Sequence, residues 1–294
     1  MKLLMVLTFL LSAVAGGLAA QGRMDVLTVT PALAVLGQEI APDGVSVSYP
    51  GPADENASDW EPGDDVLRLY QQADLVLLVG ADYAGWVEKT ALPRARLVET
   101  SAAFPERFIS QASDVSDHQH GPTGAANHHT AFANHFWLDP GIARLQARAI
   151  ADSFTALWPE RADEIAVNLA ELDRSLAEIG AGIGRELASL GGVNMLASHP
   201  VYQYLDEAFG LDLHNFHWEP DQHPKPEDWA EFDDKLAADQ PNVMIWEADP
   251  LPETRSELSK RNVGIVVISP SPPEYSKGSL RARLGFPERI APAK

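Results

Sequence analysis

The sequence predicts an α/β protein built as two α/β lobes with mostly parallel sheets, joined by one long rigid helix. Three observations carry that prediction. Short apolar runs alternate with helical patterns through most of the 294 residues, the arrangement of an α/β chain. Several of those runs are apolar at every position, as parallel strands buried on both faces are. Between the two sets of runs, one apolar stripe at helical spacing extends over about 25 residues, roughly 38 Å of helix.

Residues 1–20 read as an export signal. Lys2 supplies the positive charge, Leu3 to Val14 a short apolar core, and Gly17-Leu-Ala-Ala20 the small residues for cleavage after Ala20. The apolar core falls short of the roughly 20 residues that span a bilayer, so a soluble, exported, periplasmic protein is expected.

An N-terminal lobe is expected over 21–158, with strands at Val26–Thr30, Val45–Tyr49, Asp74–Val79 and Arg96–Val98. Within it, 110–134 has few large apolar residues and carries Gly, Asn, Asp and His, the composition of a mobile loop. Asp139 stands where a helix N-cap belongs and Pro140 in the first turn. Ile142, Leu145, Ile150, Phe154 and Leu157 then mark that helix.

Pro159 opens the linking helix, 159–190. Its apolar positions Ile165, Leu169, Leu172, Leu176, Ile179, Ile183, Leu187 and Leu190 advance in steps of three and four, and Gly191-Gly192 ends it. It lacks the strict seam of a coiled coil and reads as a strut packed along both lobes. The C-terminal lobe, 191–294, is expected to carry strands at Val193–Ala197, Leu211–Phe216, Asn242–Trp246 and Val263–Ile268.

Composition excludes several classes of function. There is no cysteine, so neither disulfides nor thiolate chemistry is available. The net charge of −20 argues against nucleic acid and anionic membrane surfaces as partners, and permits cations.

The histidines carry the chemistry. His135-Phe-Trp-Leu-Asp-Pro140 and Ser198-His199-Pro200 each place one imidazole at a structural boundary. The two are too far apart in sequence to form a local clip, so a site they share must be built by the fold. Ligands in open α/β sheets gather beyond the carboxyl ends of strands, which favours both.

His118, His120, His128 and His129 lie in the 110–134 loop without rigid spacing, which suits weak capture of metal rather than a tetrahedral structural site.

The chain resembles the zinc/manganese-binding solute-binding proteins of bacterial ABC transporters, the TroA-like cluster of metal receptors. Pro52-Ala-Asp54, Asp59-Trp-Glu-Pro62, Ala73-Asp-Leu-Val76 and Gly80-Ala-Asp-Tyr-Ala-Gly-Trp86 carry the resemblance in the first half. His135-Phe-Trp-Leu-Asp-Pro140, Ser198-His-Pro-Val-Tyr202 and Ile245-Trp-Glu247 carry it in the second. The resemblance implies two α/β lobes joined by a long helix, with the metal held between them. A His-rich loop ahead of the His-x-Trp-Leu-Asp motif is similar to the zinc members in particular.

Two positions depart from that pattern. Ser58 stands where the family normally has a ligand histidine, and Ser269-Pro270 where it has an Asp-Pro carboxylate. His135 and His199 stay in place, and zinc takes four ligands, or three and a water. Glu219 and Glu247 are the replacement carboxylates, each either a direct ligand or an acceptor that orients an imidazole. The expected metal set is therefore His135, His199, Glu219 and Glu247. His217, Asp59 and Glu61 are secondary candidates, and His214 and His223 are read as surface residues.

The function so implied is a periplasmic receptor that binds Zn²⁺ between its lobes and delivers it to an inner-membrane ABC permease. Mn²⁺ fits less well, because it prefers more carboxylate oxygen. A monomer is the default. A metal buffer or chaperone without a transporter, or a relative without a tight site, is the alternative. A zinc hydrolase is disfavoured because His-Glu-x-x-His is absent and spacing singles out no general base, so no enzyme is expected.

Overall fold

The apolar runs become strands and the periodic segments become helices. The computed structural model describes residues 24–53, 55–111, 132–190 and 195–292. The first lobe contains β1 (Met24–Thr28), α1 (Pro31–Ile40), β2 (Val45–Ser48), α2 (Asp64–Gln72), β3 (Leu75–Leu78) and β4 (Leu97–Glu99). Two long helices follow, α3 (Pro140–Leu157) and α4 (Ala162–Ser189). The second lobe contains β5 (Leu196–Ala197), α5 (Gln203–Phe209), β6 (His214–Asn215), α6 (Pro226–Asp239), β7 (Val243–Trp246), α7 (Pro252–Lys260), β8 (Gly264–Val267) and α8 (Leu280–Arg283). None of the helices among the described residues is long and apolar enough to cross a membrane.

Both sheets are four-stranded, entirely parallel, and share one topology. The orders are β2-β1-β3-β4 and β6-β5-β7-β8, so in each lobe the first strand is internal and the order reverses beside it. Every residue of β3 and β7 is buried, because helices or loops cover both faces of a parallel sheet. Reversal of strand order opens a crevice at the carboxyl ends, where the loops after neighbouring strands diverge. The loops leaving β5 and β7 carry His199 and Glu247 to that crevice.

Helices α3 and α4 run antiparallel. The start of α3 meets the far part of α4, with Pro140 against Gly180, and Arg144 makes a bidentate pair with Asp173 at 2.7 and 2.8 Å. Asp139 caps α3, its Oδ1 accepting from Gly141 N at 2.6 Å. Pro159 opens a short 3₁₀ turn over Pro159–Arg161, and the α-helix proper begins at Ala162. Ile165, Leu172, Leu176, Ile183 and Leu187 are buried along one face of α4, with Leu169, Ile179 and Leu190 at its margins. The Gly191-Gly192 stop lies outside the described residues.

The strut is fastened at both ends. Asn168 donates to the carbonyls of Ile40 and Ala41 in the first lobe, and Glu164 accepts from Asp43 N. Near the other end, Glu186 pairs with Arg281 and accepts from Ile290 N in the second lobe. The segment after β8 crosses back to the first lobe. Tyr275 Oη bonds the backbone of Tyr49, and Arg283 reaches Gln38 and Glu39 on α1. One continuous core therefore runs from the first lobe into the inner face of the second. A separate cluster that includes Phe216, Trp218, Phe232 and Trp246 fills the second lobe around α6 and α7.

Candidate metal centre

The candidate residues come from both lobes. His135 is 6 % exposed, although it precedes a helix rather than ending a strand. Aromatic rings hold it: the imidazole lies edge-on to Tyr83 at 5.6 Å and to Trp137 at 5.3 Å. Tyr83 follows β3 through Gly80, whose φ of +88° brings the backbone so close to Ser101 that a Cβ there would lie 2.1 Å from Oγ. That turn is what places Tyr83 over the sheet end. His135 Nε2 is buried with no hydrogen-bond partner among the described residues, an arrangement that costs roughly 1–3 kcal/mol unless something binds there.

On the second lobe, His199 Nδ1 donates to Glu247 Oε1 at 3.1 Å, and Nε2 stands 3.8 Å from Glu219 Oε1. The bond at Nδ1 fixes the ring and leaves Nε2 as the nitrogen offered to a cation. His217 lies beside His199, rings perpendicular with centroids 5.8 Å apart. His135 and His199 both feel the Glu247 charge, and Asp59 from the first lobe acts on His199 and Glu219. Glu61 is engaged elsewhere, with Lys89 at 3.1 Å.

The electrostatics describe a site dominated by carboxylate charge. Burial, opposed by the Glu247 carboxylate, pushes the His135 imidazole down to about 4, so it is neutral at physiological pH. Burial raises the Asp59 and Glu219 carboxyls, opposed by the Ser58 hydrogen bond at Asp59 and by His199 at Glu219, and the neighbouring Glu247 carboxylate adds to the rise in both. At His199 burial opposes protonation, but Glu247, Glu219 and Asp59 outweigh it and raise the group above its ordinary 6.5. Neutral imidazole nitrogen among mutually repelling carboxylates is what a divalent cation of zinc type binds. Among the described residues no three His, Asp or Glu side chains already stand in metal-holding geometry.

The shift at His135 has a measurable consequence for the metal-free protein. An unfolded chain binds a proton near 6.5, which the folded chain refuses until about 4. Stability supported by this group is therefore present above pH 6.5 and lost as pH falls toward 4, by roughly 3 kcal/mol in full. His199 acts in the opposite sense: its contribution is present below 6.5 and fades as pH rises through its raised folded value. Urea unfolding at pH 7 and pH 4.5 should show a smaller acid loss in His135→Gln than in the wild type. Equal losses would show that His135 is not the buried neutral group.

Other expected positions fall into place differently. His223 is exposed, its Nδ1 3.2 Å from Thr254 Oγ1. His214 is not a plain surface residue: its Nε2 is buried, and it lines a cavity of about 150 Å³ with Asp212, Lys235 and Asp239, a lining that does not include His199. The reason is its place in β6, at the edge of the sheet, where α6 covers it. Ser58 bonds the neighbouring Asp59 at 3.4 Å, and Ser269 N donates to Gly285 O. His118, His120, His128 and His129 lie outside the described residues.

The sequence profile of the ZnuA family, described as zinc-uptake complex component A, periplasmic, matches residues 26–278. The chain belongs to this family. Its members are periplasmic, zinc-uptake solute-binding components of ABC transporters and not enzymes. A high-affinity zinc uptake system protein ZnuA from Haemophilus ducreyi is 26 % identical over 261 residues, covering 83 % of each chain. The fold is that of the metal-dependent lipoprotein YcdH from Bacillus subtilis, with TM-score 0.73 at 17 % identity over 89 % of this chain and 95 % of that one. The Zn(II)-bound ZnuA-like domain of Streptococcus pneumoniae AdcA superposes with TM-score 0.69 at 19 % identity, over 85 % and 89 % of the two chains.

Proposed function

We propose that this chain captures Zn²⁺ in the cleft between its lobes and delivers it to the permease of an ABC importer. His135 from the first lobe and His199 from the second supply the nitrogens. Glu219, beside Nε2 of His199, supplies a carboxylate oxygen. Glu247 holds His199 through Nδ1 and contributes its charge to the cleft. The observation that carries this reading is the buried Nε2 of His135, neutral and without a hydrogen-bond partner among the described residues, in the field of Glu247 and His199.

Zinc suits this mixed nitrogen and oxygen set better than Mn²⁺ does. Closure is small in this reading: α4 is fastened to both lobes and the Tyr275–Arg283 segment ties them again, so side chains and loops move rather than whole lobes. The histidines of 110–134 raise the local concentration of metal. The chain is exported, its signal cleaved near Ala20, and the receptor acts as a monomer.

Calorimetric titration of the metal-stripped mature protein tests the reading. One tight Zn²⁺ site is expected, with Mn²⁺ weaker by more than about tenfold, or 1.4 kcal/mol. Weak binding at several sites, without preference between the two metals, would instead indicate a metal buffer.

A further inference from the structure

The segment that follows β6 has the alternation of an extended strand with one buried face. Phe216 and Trp218 are 3 % and 5 % exposed and pack into the second lobe's aromatic cluster. His217 and Glu219, two residues apart, are exposed on the opposite face, as the two-residue period of extended chain requires. The segment is held in register beside the strand that leads to His199. Phe216 N donates to Ala197 O at 2.9 Å and Trp218 N to Ser198 O at 2.7 Å. His217 and Glu219 are therefore presented as a pair on either side of one backbone bond, next to His199.

We infer that His217 is a zinc ligand, so that His199, His217 and Glu219 form a three-donor half-site on the second lobe to which His135 is added. Two imidazoles on one tetrahedral zinc, each bound at about 2.0–2.1 Å, have ring centroids about 5 Å apart. The perpendicular His199 and His217 rings are already at 5.8 Å, so an ion needs to draw them together by less than an ångström or so. Glu219 Oε1 stands 3.8 Å from His199 Nε2, close to the separation of two donors sharing a tetrahedral ion. With His135 the set reaches the four donors zinc prefers, which leaves Glu247 to orient His199 through Nδ1. Aromatic packing of Phe216 and Trp218 fixes which way His217 faces before any metal arrives.

This assignment rests on the cleft reading above, and the test separates the two. Mature, metal-stripped wild type, His217→Ala and His199→Ala are titrated with Zn²⁺ by calorimetry. The visible spectrum of each Co²⁺ form is recorded, because its bands report the number and type of donors. His217→Ala is expected to bind one Zn²⁺ at least tenfold more weakly, with an altered Co²⁺ spectrum and an unchanged melting temperature for the metal-free protein. The side chain is exposed, so the variant folds. If His199→Ala loses tight binding while His217→Ala keeps both wild-type affinity and the wild-type Co²⁺ spectrum, the role of His217 is refuted and the cleft reading stands. If His199→Ala also binds like the wild type, the cleft reading itself fails, and the assignment of His217 with it.

Discussion

His199→Ala is expected to lower Zn²⁺ affinity by more than tenfold, with binding read by calorimetry or chelator competition. The expectation rests on what the ring connects. Its Nδ1 is committed to Glu247 at 3.1 Å, and its Nε2 faces Glu219 at 3.8 Å. Truncation removes one nitrogen donor outright and frees Glu247 from the bond that orients it. Loss of an orienting partner alone typically costs 10–100-fold in metal affinity, and here a donor is lost with it. The crowded carboxylates would still attract a cation, so residual binding should be weak and salt-sensitive. Unchanged affinity would place the site elsewhere in the protein.

Trp137→Ala should be the most damaging single substitution near the site, costing about 3–5 kcal/mol of stability. Trp137 is 0 % exposed and packs edge-on against Tyr83 at 5.5 Å and His135 at 5.3 Å. Removing it opens a cavity beneath His135, so the imidazole loses the wall that keeps it in place. A drop in melting temperature of roughly 6–15 °C is expected for a chain of this size, with weaker zinc binding in the fraction that stays folded. Trp137→Phe should be far milder. The indole Nε1 has no hydrogen-bond partner among the described residues, so the ring volume matters more than the N–H. Equal losses in both variants would show that this account of the packing is wrong.

Much of the architecture was legible because it is written in local periodicity. The run Asn242–Trp246 is apolar at nearly every position, and β7 forms at Val243–Trp246 with every residue buried. The stripe from Ile165 to Leu187 is a 3.6-residue pattern, and those residues form the buried face of α4. Pro140 and Asp139 announced the start of α3 through cap chemistry that needs no distant partner. Two small differences have local causes. Pro159 opens a 3₁₀ turn first, and β5 and β6 are only two residues each, since a short strand in this sheet needs only enough ladder to set the register of the loops beyond it.

The candidate centre was legible only in part. His135 and His199 stand out by their boundaries, but their mutual proximity depends on α4 and the post-β8 segment setting the lobes side by side. His217 shows how a signal can be present and yet ambiguous. Phe216-His217-Trp218-Glu219 alternates apolar and polar residues, which says that one face is buried and not what lies on the other. His214 gave the opposite error: two residues before Phe216 on an edge strand, it turns its Nε2 inward under α6 instead of to water.

From residue order alone came the α/β class, the long linking helix, the acidic cysteine-free character of the chain and the two imidazoles at element ends. These follow from hydrophobic period, capping and composition, which act over a few residues. The tertiary structure alone decided that His199 meets Glu247 and Glu219, that the Nε2 of His135 is buried without a hydrogen-bond partner among the described residues, and that His217 stands beside His199. Such contacts join residues tens of positions apart, and their energies depend on desolvation and distance, quantities that exist only after the lobes have packed.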